Sequence, residues 1–184
     1  MPERKVAVVV GSLRKGSYNR KMALALEKLA PPSLKLGIVE IRDLALYDED
    51  LEAAPPQAWL DFRAAIRGVD AVMFITPEYN RSVPGGLKNA IDVGSRPYGK
   101  SVWSKKPCAV ISVSPGGIGG FGANHHLRQS LVFLDMPVLQ QPEAYVASVA
   151  NLFAEDGSIA NEGTRKFMVG LLDAFAAMIE RALA

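Results

Sequence analysis

The sequence has a single cysteine, Cys108, in 184 residues. No intramolecular disulfide can form, and a cysteine-rich metal site is excluded by the same count. Only two histidines are present, His125 and His126, and they are adjacent. Neighbouring residues on a helix cannot face one site together, so a helical metal pair is also excluded and a surface or interface role is expected for both. No apolar run approaches the roughly 20 residues that a membrane helix needs. The stretch after Met1-Pro2-Glu3-Arg4-Lys5 is too short for a secretory signal, which makes a cytoplasmic location the default expectation. An excess of one charge is missing too. The net charge is +2, too small and too dispersed for a nucleic-acid surface.

What is present is the material of a folded domain. Hydrophobic residues make up 49% and charged residues 22%, so burial can support a core and disorder is excluded. The length suits one domain, taken here as residues 1–184, and no internal repeat or composition break divides it.

Apolar runs alternate with helical patterns from end to end. Strands are expected at Arg4–Val10, Leu34–Ile41, Val69–Ile75 and Pro107–Val113, with a short fifth near Pro137–Gln141. The run Val6-Ala7-Val8-Val9-Val10 has the continuous β-branched character of a buried parallel strand. Helices are expected over Asn19–Ala30, stopped by Pro31-Pro32, over Ala58–Arg67 and from Pro84. Two more span Ala123–Leu134 and Asn161–Leu183. The last is expected to bury Phe167, Leu171, Phe175, Met178 and Ala182. Arg42–Pro56 and Arg96–Lys106 read as loops, and Glu143–Gly157 is ambiguous. Such alternation argues for a parallel sheet covered by helices on both faces. Cys108 and the aromatics Trp59, Phe62 and Phe175 read as core.

In an open parallel sheet, ligands bind beyond the C-terminal strand ends. Three unusual loops lie there. The first, Gly11-Ser12-Leu13-Arg14-Lys15-Gly16-Ser17-Tyr18-Asn19, leads directly into a helix, whose unpaired N–H groups and dipole favour an anion. Ser12, Ser17 and Asn19 add donors and Arg14 a charge, whereas a capped turn needs only one such residue. Gly11 and Gly16 have Walker spacing, but Ser17 stands where the lysine belongs. Leu13 breaks the Gly-x-Gly-x-x-Gly dinucleotide pattern. No cysteine nucleophile lies in the loop. A terminal phosphate monoester remains.

The second loop, Thr76–Val83, is stiffened by Pro77 and by Pro84 just beyond it. Tyr79 and exposed amides suit the edge of a flat heteroaromatic ring, although a turn capping a helix through Ser82 has the same composition. The third, Ser114–Gly122, is glycine-rich. It permits close backbone approach to a planar ligand, and composition alone equally allows a flexible linker.

These motifs together resemble the NADPH-dependent FMN reductase family, in particular its chromate and quinone reductase branch. The first loop looks like that family's FMN phosphate loop. Thr76-Pro77-Glu78-Tyr79-Asn80, followed by Ser82 through Asp92, looks like its most specific signature. His126-Leu127-Arg128-Gln129 with Leu131-Val132-Phe133-Leu134 is also similar, and the resemblance covers nearly the whole chain. It implies a flavodoxin-like three-layer α/β sandwich with a five-stranded parallel sheet in the order 2-1-3-4-5. It implies non-covalent FMN, with NADPH or NADH as co-substrate, in a homodimer or homotetramer. The residues implied to bind FMN are Ser12, Arg14, Ser17, Tyr18 and Asn19 at the phosphate, Pro77, Glu78, Tyr79 and Asn80 beside the ring, and Ser114, Gly116 and Gly117 near the ring or ribityl chain. Arg81 and the third loop are implied to affect acceptor preference. Arg128 and Glu143 are expected to pair, across subunits or locally.

The expected activity is ping-pong, two-electron reduction of quinones and of chromate, azo compounds or free flavin. The flavin does the chemistry, so no side chain is assigned as nucleophile or metal ligand. The alternatives are a flavodoxin-type electron carrier, which the slightly basic balance disfavours, and a non-enzymatic flavin or nucleotide module.

Overall fold

The computed structural model describes residues 2–184. Five parallel strands form one sheet: β1 (Arg4–Val10), β2 (Leu34–Val39), β3 (Ala71–Thr76), β4 (Cys108–Val113) and β5 (Ala144–Val146), in the order β2-β1-β3-β4-β5. The helices are α1 (Tyr18–Leu29), α2 (Gln57–Arg67), α3 (Gly85–Ser95), α4 (Phe121–Phe133) and α5 (Glu162–Leu183). This is the flavodoxin-like order that the family resemblance implies.

Every side chain of β3 and β4 is buried, as a central parallel strand covered on both faces requires. Val6, Val8 and Val10 point to the layer formed by α1 and α5, where Met22, Leu26, Leu171 and Phe175 meet them. Ala7 and Val9 point the other way, to Trp59, Phe62, Leu87 and Leu127 of α2, α3 and α4. The strand period of two thus sorts one apolar run into two cores. Among the described residues no helix is long and apolar enough to cross a membrane.

Four expectations are corrected. The fifth strand is Ala144–Val146, not Pro137–Gln141. Val138 makes only an isolated bridge to Cys108, and Pro142, which has no N–H to give, interrupts the pairing before it resumes at Ile111 and Ala144. The buried seam of α5 is Met168, Leu171, Leu172, Phe175 and Ile179; Phe167 and Ala182 are exposed. Both stripes have helical spacing, but Met168 is the one that turns toward the sheet. The Arg96–Lys106 segment is a loop that carries core. Trp103 is fully buried, donates Nε1–H to the Ile91 carbonyl at 2.9 Å and packs on Phe62 and Phe74. The acidic stretch before α2 contains a 3-10 turn, Glu49–Ala53, capped by Asp48.

Candidate functional site

The three loops lie together at the C-terminal edge of β1, β3 and β4, and close packing holds them in register. Gly11 donates to the Ile75 carbonyl at 2.8 Å. A Cβ on Gly11 would stand 2.9 Å from Leu87 Cδ2 of α3 and 3.3 Å from Pro77 Cδ, so glycine lets the first loop lie close against Pro77 and the start of α3. The second loop and the first turn of α4, just beyond the third loop, meet as closely. A Cβ on Gly122 would stand 2.8 Å from the Arg81 carbonyl oxygen and 2.9 Å from Glu78 Oε2.

At the first loop, Ser17 is the buried N-cap of α1 and accepts from the Arg20 N–H at 3.2 Å. Its own O–H is left to donate. Tyr18 and Asn19 occupy the first turn, where N–H groups have no intrahelical acceptor. Asn19 is buried; its Nδ2 lies 3.4 Å from the Val113 carbonyl, while its Oδ1 has no partner among the described residues. A buried acceptor left open is costly unless a donor arrives from outside the protein. Ser12 is half-buried and Arg14 exposed, and Arg14 makes no ion pair among the described residues.

The second loop is a hairpin turn. Tyr79 and Ser82 exchange backbone hydrogen bonds of 3.1 and 2.9 Å, and Asn80 and Arg81 between them have φ of 50° and 62°. Two consecutive left-handed residues define a type I′ geometry, which costs a non-glycine residue such as Arg81 about 1 kcal/mol or more. Strain of this kind gathers at functional sites. Tyr79 and Asn80 are exposed at the tip.

Glu78 braces this turn. Its carboxylate accepts from the Ala123 N–H in the first turn of α4 at 3.1 Å and pairs with Arg81 at 3.1 Å. Its side chain is therefore committed within the protein, and only its backbone is free to border a ligand. Ser82 does not cap α3, whose N-cap is Pro84; its hydroxyl meets His126 Nδ1 at 3.0 Å.

The third loop is ordered by its own bonds. Ser114 Oγ accepts from the Gly116 N–H at 3.1 Å, and the Gly119 N–H reaches the Gly116 carbonyl at 3.3 Å. The loop ends at Gly120, because α4 begins at Phe121. Gly116 and Gly117 are exposed.

Sequence reasoning missed Gly122 and His126 as supports of the second loop. Both act through contacts between distant segments, which spacing alone does not display. Arg128 does not pair with Glu143 within the chain: its guanidinium donates to Asn124 Oδ1 at 2.9 Å and to the Leu139 carbonyl at 3.0 Å. Beside the third loop, Tyr145 OH meets His125 Nε2 at 2.9 Å. Burial, together with the Glu143 carboxylate, pushes the Tyr145 phenol up to about 12. Cys108 is buried at the start of β4. Burial raises its thiol well above the usual range, so it stays protonated and inert.

Comparison with known proteins gives the family of the chain. Residues 4–151 match the model of the NADPH-dependent FMN reductase family. A quinone reductase of Pseudomonas putida is 66% identical over 176 residues, covering 95% of this chain and 94% of that protein. A 2-hydroxy-1,4-benzoquinone reductase of a Burkholderia species is 43% identical over 95% of this chain and 96% of its own. Among solved structures, the flavoenzyme NAD(P)H:(acceptor) oxidoreductase of Paracoccus denitrificans superposes with a TM-score of 0.93 at 46% identity, covering 97% of this chain and 98% of that one. The chain belongs to the NADPH-dependent FMN reductase family.

Proposed function

We propose that this protein is an FMN-dependent NAD(P)H:quinone oxidoreductase. The observation that carries the reading is the convergence of three loops on one sheet edge, each supplying a different part of a flavin site. The names of the relatives at 66% and 43% identity point to the same acceptor class.

The residues present fit FMN. The open first-turn amides of α1, the Ser17 hydroxyl proton and Arg14 make a donor set for a phosphate dianion. The buried Asn19 Oδ1 accepts, so it suits a ribityl hydroxyl better than a phosphate oxygen. When bound, FMN supplies the two-electron chemistry, taking a hydride from NAD(P)H and reducing the acceptor. The chain's part is placement. Pro77 and the strained Tyr79–Ser82 turn fix one wall beside the ring, and Glu78 holds that wall against α4. Gly116 and Gly117 leave the opposite backbone bare enough for close approach. Tyr79, 55% exposed, is free to lie over a planar acceptor.

One shallow site serving both substrates gives ping-pong kinetics. Initial rates with NADPH and a benzoquinone are expected to produce parallel double-reciprocal lines. Converging lines would mean that both substrates occupy the site together. Chromate, azo dyes and free flavin are further acceptors that so open a site admits.

The assembly we propose is a homodimer, or a tetramer of two such dimers, formed through the far ends of α3 and α4. Phe133 is 88% exposed, Tyr98 89% and Val132 73%, and Phe133 borders two adjoining clefts of about 670 and 340 Å³. Large side chains so bare on adjoining elements suit an interface better than solvent.

A further inference from the structure

A second cleft opens beside the phosphate loop, on the side away from β3. It is about 380 Å³ in volume and runs between the first loop and the end of β2. Four cations line it, Arg14, Lys15, Arg20 and Arg42, against two carboxylates, Glu40 and Asp43. Glu40 is already used by Arg20, at 2.7 Å. Arg42 donates to the Leu13 carbonyl, which holds its guanidinium across the cleft. Lys15 makes no hydrogen bond or ion pair among the described residues. With Arg14 given to the flavin phosphate, Lys15 and Arg42 still leave a positive charge that Asp43 only partly offsets. A cleft with this balance suits a phosphate dianion.

Arg14 lies between the cleft and the flavin phosphate, but that phosphate does not need Lys15 or Arg42, because the amides of α1 with Ser17 and Arg14 already supply its donors. The other phosphate monoester in the proposed reaction is the 2′-phosphate that distinguishes NADPH from NADH. We infer that the cleft formed by Lys15 and Arg42 binds the 2′-phosphate of NADPH and sets a preference for that co-substrate. This rests on the reading above that NAD(P)H is oxidised here. Lys15 contributes a mobile ammonium and Arg42 a planar fork already anchored at one edge.

Calorimetric titration of the FMN-loaded protein with adenosine 2′,5′-bisphosphate and with 5′-AMP tests this, since the two differ only in the 2′-phosphate. The bisphosphate is expected to bind about tenfold tighter or more, as one charge-assisted contact implies. The difference should vanish in the Lys15→Ala/Arg42→Ala double variant. In that variant the NADPH-to-NADH ratio of kcat/KM should fall by about the same factor, through the KM for NADPH. Equal binding of the two nucleotides by the parent protein would overturn the inference. So would loss of FMN from the double variant, which would assign these cations to the flavin phosphate. Lys15→Ala alone breaks no bond within the protein and separates charge loss from any disturbance of Leu13. Failure of both nicotinamides to reduce the flavin would instead refute the proposed activity, while the titration would still decide what the cleft binds.

Discussion

At the scale of single residues, the site depends on a few side chains and on two absent ones. Arg14 is exposed and has no ion-pair partner among the described residues, so its loss should leave the fold alone. Arg14→Ala is expected to weaken FMN binding about 10- to 100-fold, the value of one charge-assisted hydrogen bond, with an unchanged thermal midpoint for the flavin-free protein. Equal FMN release from variant and parent on dilution would remove Arg14 from the phosphate site. Gly122 matters for what it lacks. Gly122→Ala would drive a methyl into the Arg81 carbonyl and the Glu78 carboxylate, which costs about 1–3 kcal/mol unless the turn moves. We expect lower stability in urea together with looser FMN. A variant with parental stability and flavin affinity would show that the Glu78–Arg81 turn does not shape the site. The exposed position of Arg14 between β1 and α1 was legible in the sequence, because the elements on either side of it carry clear patterns. Gly122 was not, because its constraint comes from a turn some forty positions away.

At the scale of elements, the supports of the site lie partly in segments that read as plain loops. Arg63 on α2 is 2% exposed, donates to the Val93 carbonyl at 2.8 Å and pairs with Glu52 at 2.7 Å. It thereby ties the acidic stretch after β2 to α3. Removing one partner of a buried pair leaves the other uncompensated, so Arg63→Ala should cost about 3 kcal/mol in urea unfolding. A loss below 1 kcal/mol would mean that the tie is dispensable. This acidic stretch read as a loop, and nothing in its composition marks Glu52 as the residue that reaches a buried arginine. Trp103 was hidden likewise, since Pro97, Gly99 and polar neighbours surround it. The long elements were legible for the opposite reason: β1, β3 and β4 are continuous apolar runs, and α1, α2 and α3 carry clear stripes. β5 was misplaced because three residues on a sheet edge carry too little pattern to outweigh Val138-Leu139 nearby.

At the scale of the whole molecule, the chain's two ends are fastened together. Arg4 at the start of β1 meets Glu180 near the end of α5 at 2.6 and 3.1 Å. The hydrogen bond from Arg4 holds the Glu180 carboxyl below its ordinary range. A carboxyl depressed in the folded state stabilises the fold above its unfolded pKa, and that contribution is lost as pH falls through the folded value. The thermal midpoint of Glu180→Gln should therefore lie below that of the parent at pH 7, and the gap should close toward pH 3. A gap independent of pH would show that ionisation of Glu180 contributes nothing. The proposed dimer is open to an equally direct test. Phe133→Asp should yield monomers by light scattering, and a parent protein already monomeric at micromolar concentration would contradict that interface.

The central claim is that the three loops form a flavin site that is reduced by a nicotinamide and reoxidised by a quinone. Its most direct test is the visible spectrum of the purified, FMN-loaded protein under anaerobic conditions. Prompt bleaching of the flavin band by one equivalent of NADPH is expected, with full return on adding one equivalent of a benzoquinone. A band that stays yellow with both NADPH and NADH, in protein that holds FMN, would contradict it.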